Sequence, residues 1–139
     1  MRWQNVAWLC GVAVVVAGLG LGADTPEDAA QLAAESWLKV VDDAKYEASW
    51  DQGAKLFQGA VTKEQWKQAV TGVRAPLGKV ISRKLKSRQY VDKLPGAPDG
   101  KYVVIQFDTA FANKAAAVET ITPMLDPDGT WRVSGYFIR

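Results

Sequence analysis

Tyr102-Val103-Val104-Ile105-Gln106-Phe107-Asp108-Thr109-Ala110-Phe111 alternates between two faces. Val103, Ile105, Phe107, Thr109 and Phe111 share one side, and a period of two over ten residues predicts a strand with one face in a core. Downstream, Ala112-Asn113-Lys114 turns the chain into a third strand, Ala117 to Leu125. Asp126-Pro127-Asp128-Gly129 is a hairpin turn with glycine where positive φ is needed, and Trp131, Val133, Gly135 and Phe137 alternate after it. Upstream, Leu94-Pro95-Gly96-Ala97-Pro98-Asp99-Gly100 is a turn-rich connection. From Lys79, a period of two again predicts a strand, with Ile81, Arg83, Leu85, Ser87, Gln89 and Val91 on one face.

Before Lys79 the period is helical. Thr25-Pro26-Glu27-Asp28 is a capped helix start, followed by Ala30, Ala33, Trp37, Leu38 and Val41 on one apolar face. Asp42-Asp43-Ala44-Lys45 ends that pattern. A second helix presents Tyr46, Trp50, Ala54 and Phe57. Thr62-Lys63-Glu64-Gln65 is a capping box that opens a third, with Trp66, Ala69, Val70 and Val73. This helix is expected to stop at Arg74-Ala75-Pro76-Leu77-Gly78, because the residue preceding proline avoids helical dihedrals. Three helices followed by a four-stranded antiparallel meander predict an α+β fold, with the helices across one face of a curved sheet.

The first 23 residues read as an address rather than as structure. Arg2 precedes an apolar run from Val6 to Leu19, small residues follow at Gly20, Gly22 and Ala23, and the first acid is Asp24. This is the layout of a secretory signal peptide. An uncleaved anchor is the alternative, at the short end of what a spanning helix needs. Cys10, preceded by Trp8 and Leu9, does not fit a lipidation site. The expected product is a periplasmic or secreted domain of residues 24–139, stabilised without disulfides. Its sixteen basic and fifteen acidic residues argue against nucleic acid as a partner.

The chain has no histidine, and Cys10 is its only cysteine. The commonest general base, the commonest zinc ligand and a thiol nucleophile are therefore missing from the expected mature domain. No phosphate-binding loop, nucleophile elbow or calcium loop is present, so neither a cofactor nor a metal is expected.

With these elements placed, the chain resembles the cystatin-like α+β roll, the superfamily of nuclear transport factor 2, ketosteroid isomerase and scytalone dehydratase. More closely, it resembles a family of small exported bacterial proteins of unknown function. The likeness rests on Trp37-Leu38, Val41-Asp42, Tyr46, Ser49-Trp50, Leu94 to Gly100 and the ending Trp131-Arg132-Val133-Ser134-Gly135-Tyr136. Enzymes of the superfamily use an Asp, often with His or Tyr, inside the cone formed by helices and sheet. Here Asp108 and Tyr136 both fall on the outward face by alternation, so that arrangement is not expected.

Two charges do fall inward. Arg83 lies between Ile81 and Leu85, and Glu119 lies between Ala117 and Ile121, with Phe107 and Thr109 on the strand between them. In one reading Arg83, Thr109 and Glu119 line a pocket floored by Trp37 and Trp50, where Arg83 binds an anion and Glu119 is the candidate catalytic base. In the other, Arg83 and Glu119 form a structural ion pair, which the cost of a lone buried charge favours. Lys84, Lys86 and Arg88 share a face and form a weak candidate for an anion patch. The outward face, with Tyr102, Val104, Thr120, Thr122 and Tyr136, has few charges and reads as a homodimer interface. The expectation is a non-catalytic module binding a small molecule or an envelope protein. The alternative is a carboxylate-dependent isomerase, dehydratase or hydrolase.

Overall fold

The computed structural model describes residues 25–139, so the expected signal peptide lies outside the described residues. Thr25 Oγ1 accepts the Asp28 amide at 3.0 Å and Pro26 takes the first helical position, opening α1 (Pro26–Asp42). This helix buries Ala30, Ala34, Trp37, Leu38 and Val41 and touches all four strands. It ends at Ala44, whose φ is 61°, with the Lys45 amide donating back to the Val40 carbonyl at 3.1 Å.

The expected second helix is two: α2 (Tyr46–Asp51) and α3 (Lys55–Ala60). The chain bends at Gln52-Gly53-Ala54, where the Ala54 amide donates to the Val133 carbonyl of the sheet at 2.8 Å. A methyl on Gly53 would stand 2.5 Å from the Phe57 ring, so the bend needs glycine for space. The last helix, α4 (Lys63–Leu77), starts with the complete Thr62–Gln65 capping box. It stops within the expected stretch, at Leu77, one residue beyond Pro76. Proline sits in the final turn and costs one hydrogen bond there, while Gly78, at φ 77°, ends the helix.

Four antiparallel strands follow in sheet order: β1 (Val80–Val91), β2 (Tyr102–Phe111), β3 (Lys114–Leu125) and β4 (Trp131–Ile138). The fold is α+β, helices first and an open four-stranded meander after. The β2–β3 hairpin tip is tied to the end of α4: Asn113 Nδ2 donates to the Pro76 carbonyl, the Asn113 amide to Leu77 and the Ala112 amide to Lys79, at 2.8–2.9 Å. The hairpin turn at Asp126–Gly129 has the expected geometry, with the Asp126 amide donating to the Thr130 carbonyl and Gly129 at φ 84°.

Residues opposite one another in an antiparallel ladder point to the same face, so pairing fixes orientation. Val103, Ile105, Phe107, Thr109 and Phe111 are all buried, as alternation requires. Strict alternation fails on both edge strands. In β1 the pairing shifts at Ile81 and again at Lys86, so Arg83 pairs with Thr109 but Arg88 pairs with Ile105. Arg88 therefore turns to the helix side and pairs with Asp28 at 2.8 Å, away from Lys84 and Lys86. In β4 the shift falls between Val133 and Gly135. Beyond it Tyr136 opposes Ile121 and Ile138 opposes Glu119, which brings both inward and turns Phe137 outward, opposite Thr120. The expected outward Tyr136 and inward Phe137 are thus reversed by one extra residue.

Candidate functional site

The inward charges come from four elements. Val41 buries the last turn of α1, which leaves Asp42 directed at the sheet. Arg74 is two helical turns past Trp66 on the buried stripe Trp66, Val70, Arg74 of α4. Arg83 enters from β1 and Glu119 from β3, with Thr109 on the strand between. Glu119 is 0% exposed. Its Oε1 accepts from Arg83 Nε and from Thr109 Oγ1, both at 2.6 Å. Its Oε2 accepts from Arg83 Nη2 at 3.1 Å and from the Tyr136 hydroxyl. Arg83 reaches the other way to grip Asp42, with Nη1 2.8 Å from Oδ2 and Nη2 3.1 Å from Oδ1. Arg74 Nη2 donates to the same Asp42 Oδ1 at 2.9 Å.

The cluster holds two guanidinium and two carboxylate groups and is neutral as a whole. Burial disfavours the charged form of Arg83, but Asp42 and Glu119 together raise its pKa further above an already high value. Burial likewise opposes ionisation of Asp42, and hydrogen bonds and charge from Arg83, then Arg74, outweigh it and hold the carboxyl below its usual range. The Tyr136 phenol is pushed well above the ordinary tyrosine value by burial and by the neighbouring Glu119 charge. Arg74 is only 5% exposed, and its Nε and Nη1 have no hydrogen-bond partner among the described residues. Its guanidinium lies 5.2 Å from the Phe111 ring, which offsets part of that cost.

Chemically, this arrangement fixes register more readily than it moves protons. Both oxygens of Glu119 are engaged, by four donors in all, so a substrate proton has no lone pair to reach without displacing one of them. Sequence reasoning brought Arg83, Thr109 and Glu119 together, and so does the structure. It missed Asp42, Arg74 and Tyr136. Arg74 was legible as the next member of the stripe Trp66, Val70. Tyr136 was not, because its face depends on the shift in β4.

The two tryptophans expected to floor a pocket fill space and spend their polar atoms on the backbone. Trp37 Nε1 donates to the Ser49 carbonyl at 2.8 Å, and Trp50 Nε1 to the Val61 carbonyl at 2.9 Å. Trp66 Nε1 donates to Ser49 Oγ at 2.9 Å. Trp37 meets Trp66 at 5.9 Å and the edge of Tyr136 at 5.3 Å between ring centroids. Phe57 closes on Trp66 at 4.9 Å. These rings pack into the core between helices and sheet.

On the outward face, Val104 and Thr122 are half-buried and Thr120 is buried, accepting from Gln106 Nε2 at 3.3 Å. Tyr102 is fully buried, although no segment of the chain was expected to cover it. Its hydroxyl donates to the Pro98 carbonyl at 2.6 Å, and Gly100 packs against its ring, so the loop from Leu94 to Gly100 folds over that corner. Among the described residues, no group of three or more acidic side chains is gathered as a metal site would need.

A family model described as "Protein of unknown function (DUF4019)" matches residues 33–136, from the middle of α1 to Tyr136, and so spans nearly all the elements that build the cluster. No curated protein matches the chain.

Proposed function

This chain belongs to the DUF4019 family of proteins of unknown function, and we propose that it is an exported, non-catalytic interaction module of the bacterial envelope, built on a cystatin-like α+β roll. The observation that carries the reading is the saturation of Glu119: 0% exposed, with both oxygens engaged by Arg83, Thr109 and Tyr136. An acid kept in that state is a keystone, and the work of the protein then belongs to its surface. The competing reading, a carboxylate-dependent isomerase, dehydratase or hydrolase, draws on the contact between Glu119 and Tyr136. It requires a substrate to displace Arg83, Thr109 or the phenol from the carboxylate, against the cost of leaving a buried charge unpaired.

Export is supported by the apolar run from Val6 to Leu19 and the small residues before Asp24. No helix among the described residues is long and apolar enough to cross a membrane. The test is native mass spectrometry of protein recovered from the periplasmic fraction without denaturation. The expected mass is that of bare polypeptide beginning near Asp24. A reproducible small-molecule excess that is lost on denaturation would instead mean an occupied pocket, and would overturn the surface reading.

A further inference from the structure

The two edges of the sheet are protected unequally. Edge strand β1 carries Arg83, Lys84, Lys86 and Arg88 and is irregular at Ile81 and Lys86, devices that deter pairing with another strand. Edge strand β4 has no charged residue from Val133 to Ile138. The first part of β4 is occupied by its own chain, because the Ala54 amide donates to the Val133 carbonyl. Past the shift in register, Gly135 to Ile138 has no such cover among the described residues. Alongside it runs an apolar hollow of about 180 Å³, walled by α4 and by Tyr136, Phe137 and Ile138. The stripe of α4 that buries Trp66 and Val70 continues past the sheet as Ala69 and Val73, and Val73 is 48% exposed. On the opposite face of β4, Phe137 is 55% exposed.

We propose that the Gly135–Ile138 edge and the apolar overhang of α4 form a homodimer seam, in which β4 pairs antiparallel with β4 of a second copy. A two-fold axis through Phe137 sets Phe137 opposite the partner's Phe137 and Tyr136 opposite the partner's Ile138, and keeps Arg139 opposite an uncharged Gly135. Like charges therefore do not meet within the seam. Arg132, beyond it, is already neutralised by Asp126 and Asp128 at 3.0 and 2.9 Å. The same axis brings apolar surface together on both faces at once: the Val73 overhangs on the helix side and the Phe137 rings on the other. Self-pairing of β1 would set lysines and arginines against one another, so charge selects β4. The result is a continuous eight-stranded sheet, with each copy supplying both the knob and the wall. This seam is independent of whether the buried cluster is catalytic.

The experiment is sedimentation equilibrium of the purified protein across micromolar concentrations, for the wild type and for Val73→Glu, Phe137→Asp, Ile81→Asp and Val104→Lys. A dimer is expected for the wild type, for Ile81→Asp and for Val104→Lys. Each of the other two changes is expected to weaken association by roughly tenfold or more, with an unchanged circular dichroism spectrum because both side chains are exposed. Hydrogen exchange of the unmutated protein supplies a second reading, in which the amides of residues 135–138 gain protection as concentration rises. A wild-type monomer throughout, a dimer indifferent to both seam changes, a dimer broken by Val104→Lys, or exchange at 135–138 independent of concentration would each overturn the proposal.

Discussion

Arg83 on β1 and Glu119 on β3 meet across the strand that separates them, with Nε and Oε1 2.6 Å apart. Thr109 lies beneath the contact and donates to the same oxygen. The bond therefore staples three strands, and through Asp42 and Arg74 it also fastens both long helices to the sheet. Its partners are separated by 36 residues in sequence, so the staple reports tertiary register rather than local structure.

Glu119→Gln keeps the shape of the side chain but presents an amide group to a set of donors. The expected loss of stability is about 3 kcal/mol, measured by urea unfolding. Tyr136→Phe removes one donor and should cost about 1–2 kcal/mol. The double variant should cost clearly less than the two single losses combined, because both act on one carboxylate. A Glu119→Gln protein as stable as the wild type would remove the staple from the account of this fold.

Acid should loosen the cluster through Asp42. Its pKa in the folded protein lies below the unfolded value of about 4, so its ionised form stabilises the fold at neutral pH. That contribution is lost as pH falls below about 4 and through the lower folded value. Asp128 in the hairpin turn behaves alike, its pKa held at about 2 by hydrogen bonds from Arg132 and the Thr130 amide. Thermal unfolding followed from neutral pH down to pH 2 should show a steep fall below about pH 4. The slope should be visibly flatter in Asp42→Asn, which starts from a lower plateau.

Alkali acts on Tyr136 with the opposite sign. Burial and the charge on Glu119 raise its pKa in the folded state, so its protonated form stabilises the protein below the unfolded tyrosine value of about 10. Above that value stability declines with rising pH. In a spectroscopic titration of tyrosinate, one phenol is expected to ionise only together with loss of the near-ultraviolet circular dichroism. Tyr136→Phe should remove that late step and leave the earlier ones in place.

Ala44 occupies a backbone conformation, φ 61°, in which a Cβ is disfavoured. It sits just past the end of α1, the position where glycine is usual. Ala44→Gly is expected to raise stability by up to about 1 kcal/mol, read as a higher urea midpoint at constant slope. A decrease would mean that the methyl group contributes packing exceeding the strain it imposes.

The order of elements, the inward face of β2 and the inward placement of Arg83 and Glu119 were legible because each follows from period, capping or turn chemistry acting locally. Thr25, Thr62 and Gly129 mark their boundaries within a few residues of chain. The faces of Arg88, Tyr136 and Phe137 were not legible. A shift in register adds a residue to one strand only, at Lys86 in β1 and between Val133 and Gly135 in β4, and alternation carries no trace of it. The division of α2 from α3 escaped as well, since Gly53 is needed for clearance from Phe57 rather than for an unusual dihedral. Asp42 looked like the end of a helix and proved to be that as well as the link between two arginines.

The three hydrogen bonds that Ala112 and Asn113 make to Pro76, Leu77 and Lys79 have a mechanical consequence. They rivet the helical layer to the sheet at the end where β1 begins. At the far end of β1, α1 is linked to that strand by Arg88 and Asp28, a partly exposed ion pair. Separation of α1 from β1 is therefore expected to start at the Asp28 end, like a book bound along one spine. Since salt screens exposed pairs and leaves amide bonds intact, ionic strength is the natural handle on how far it opens.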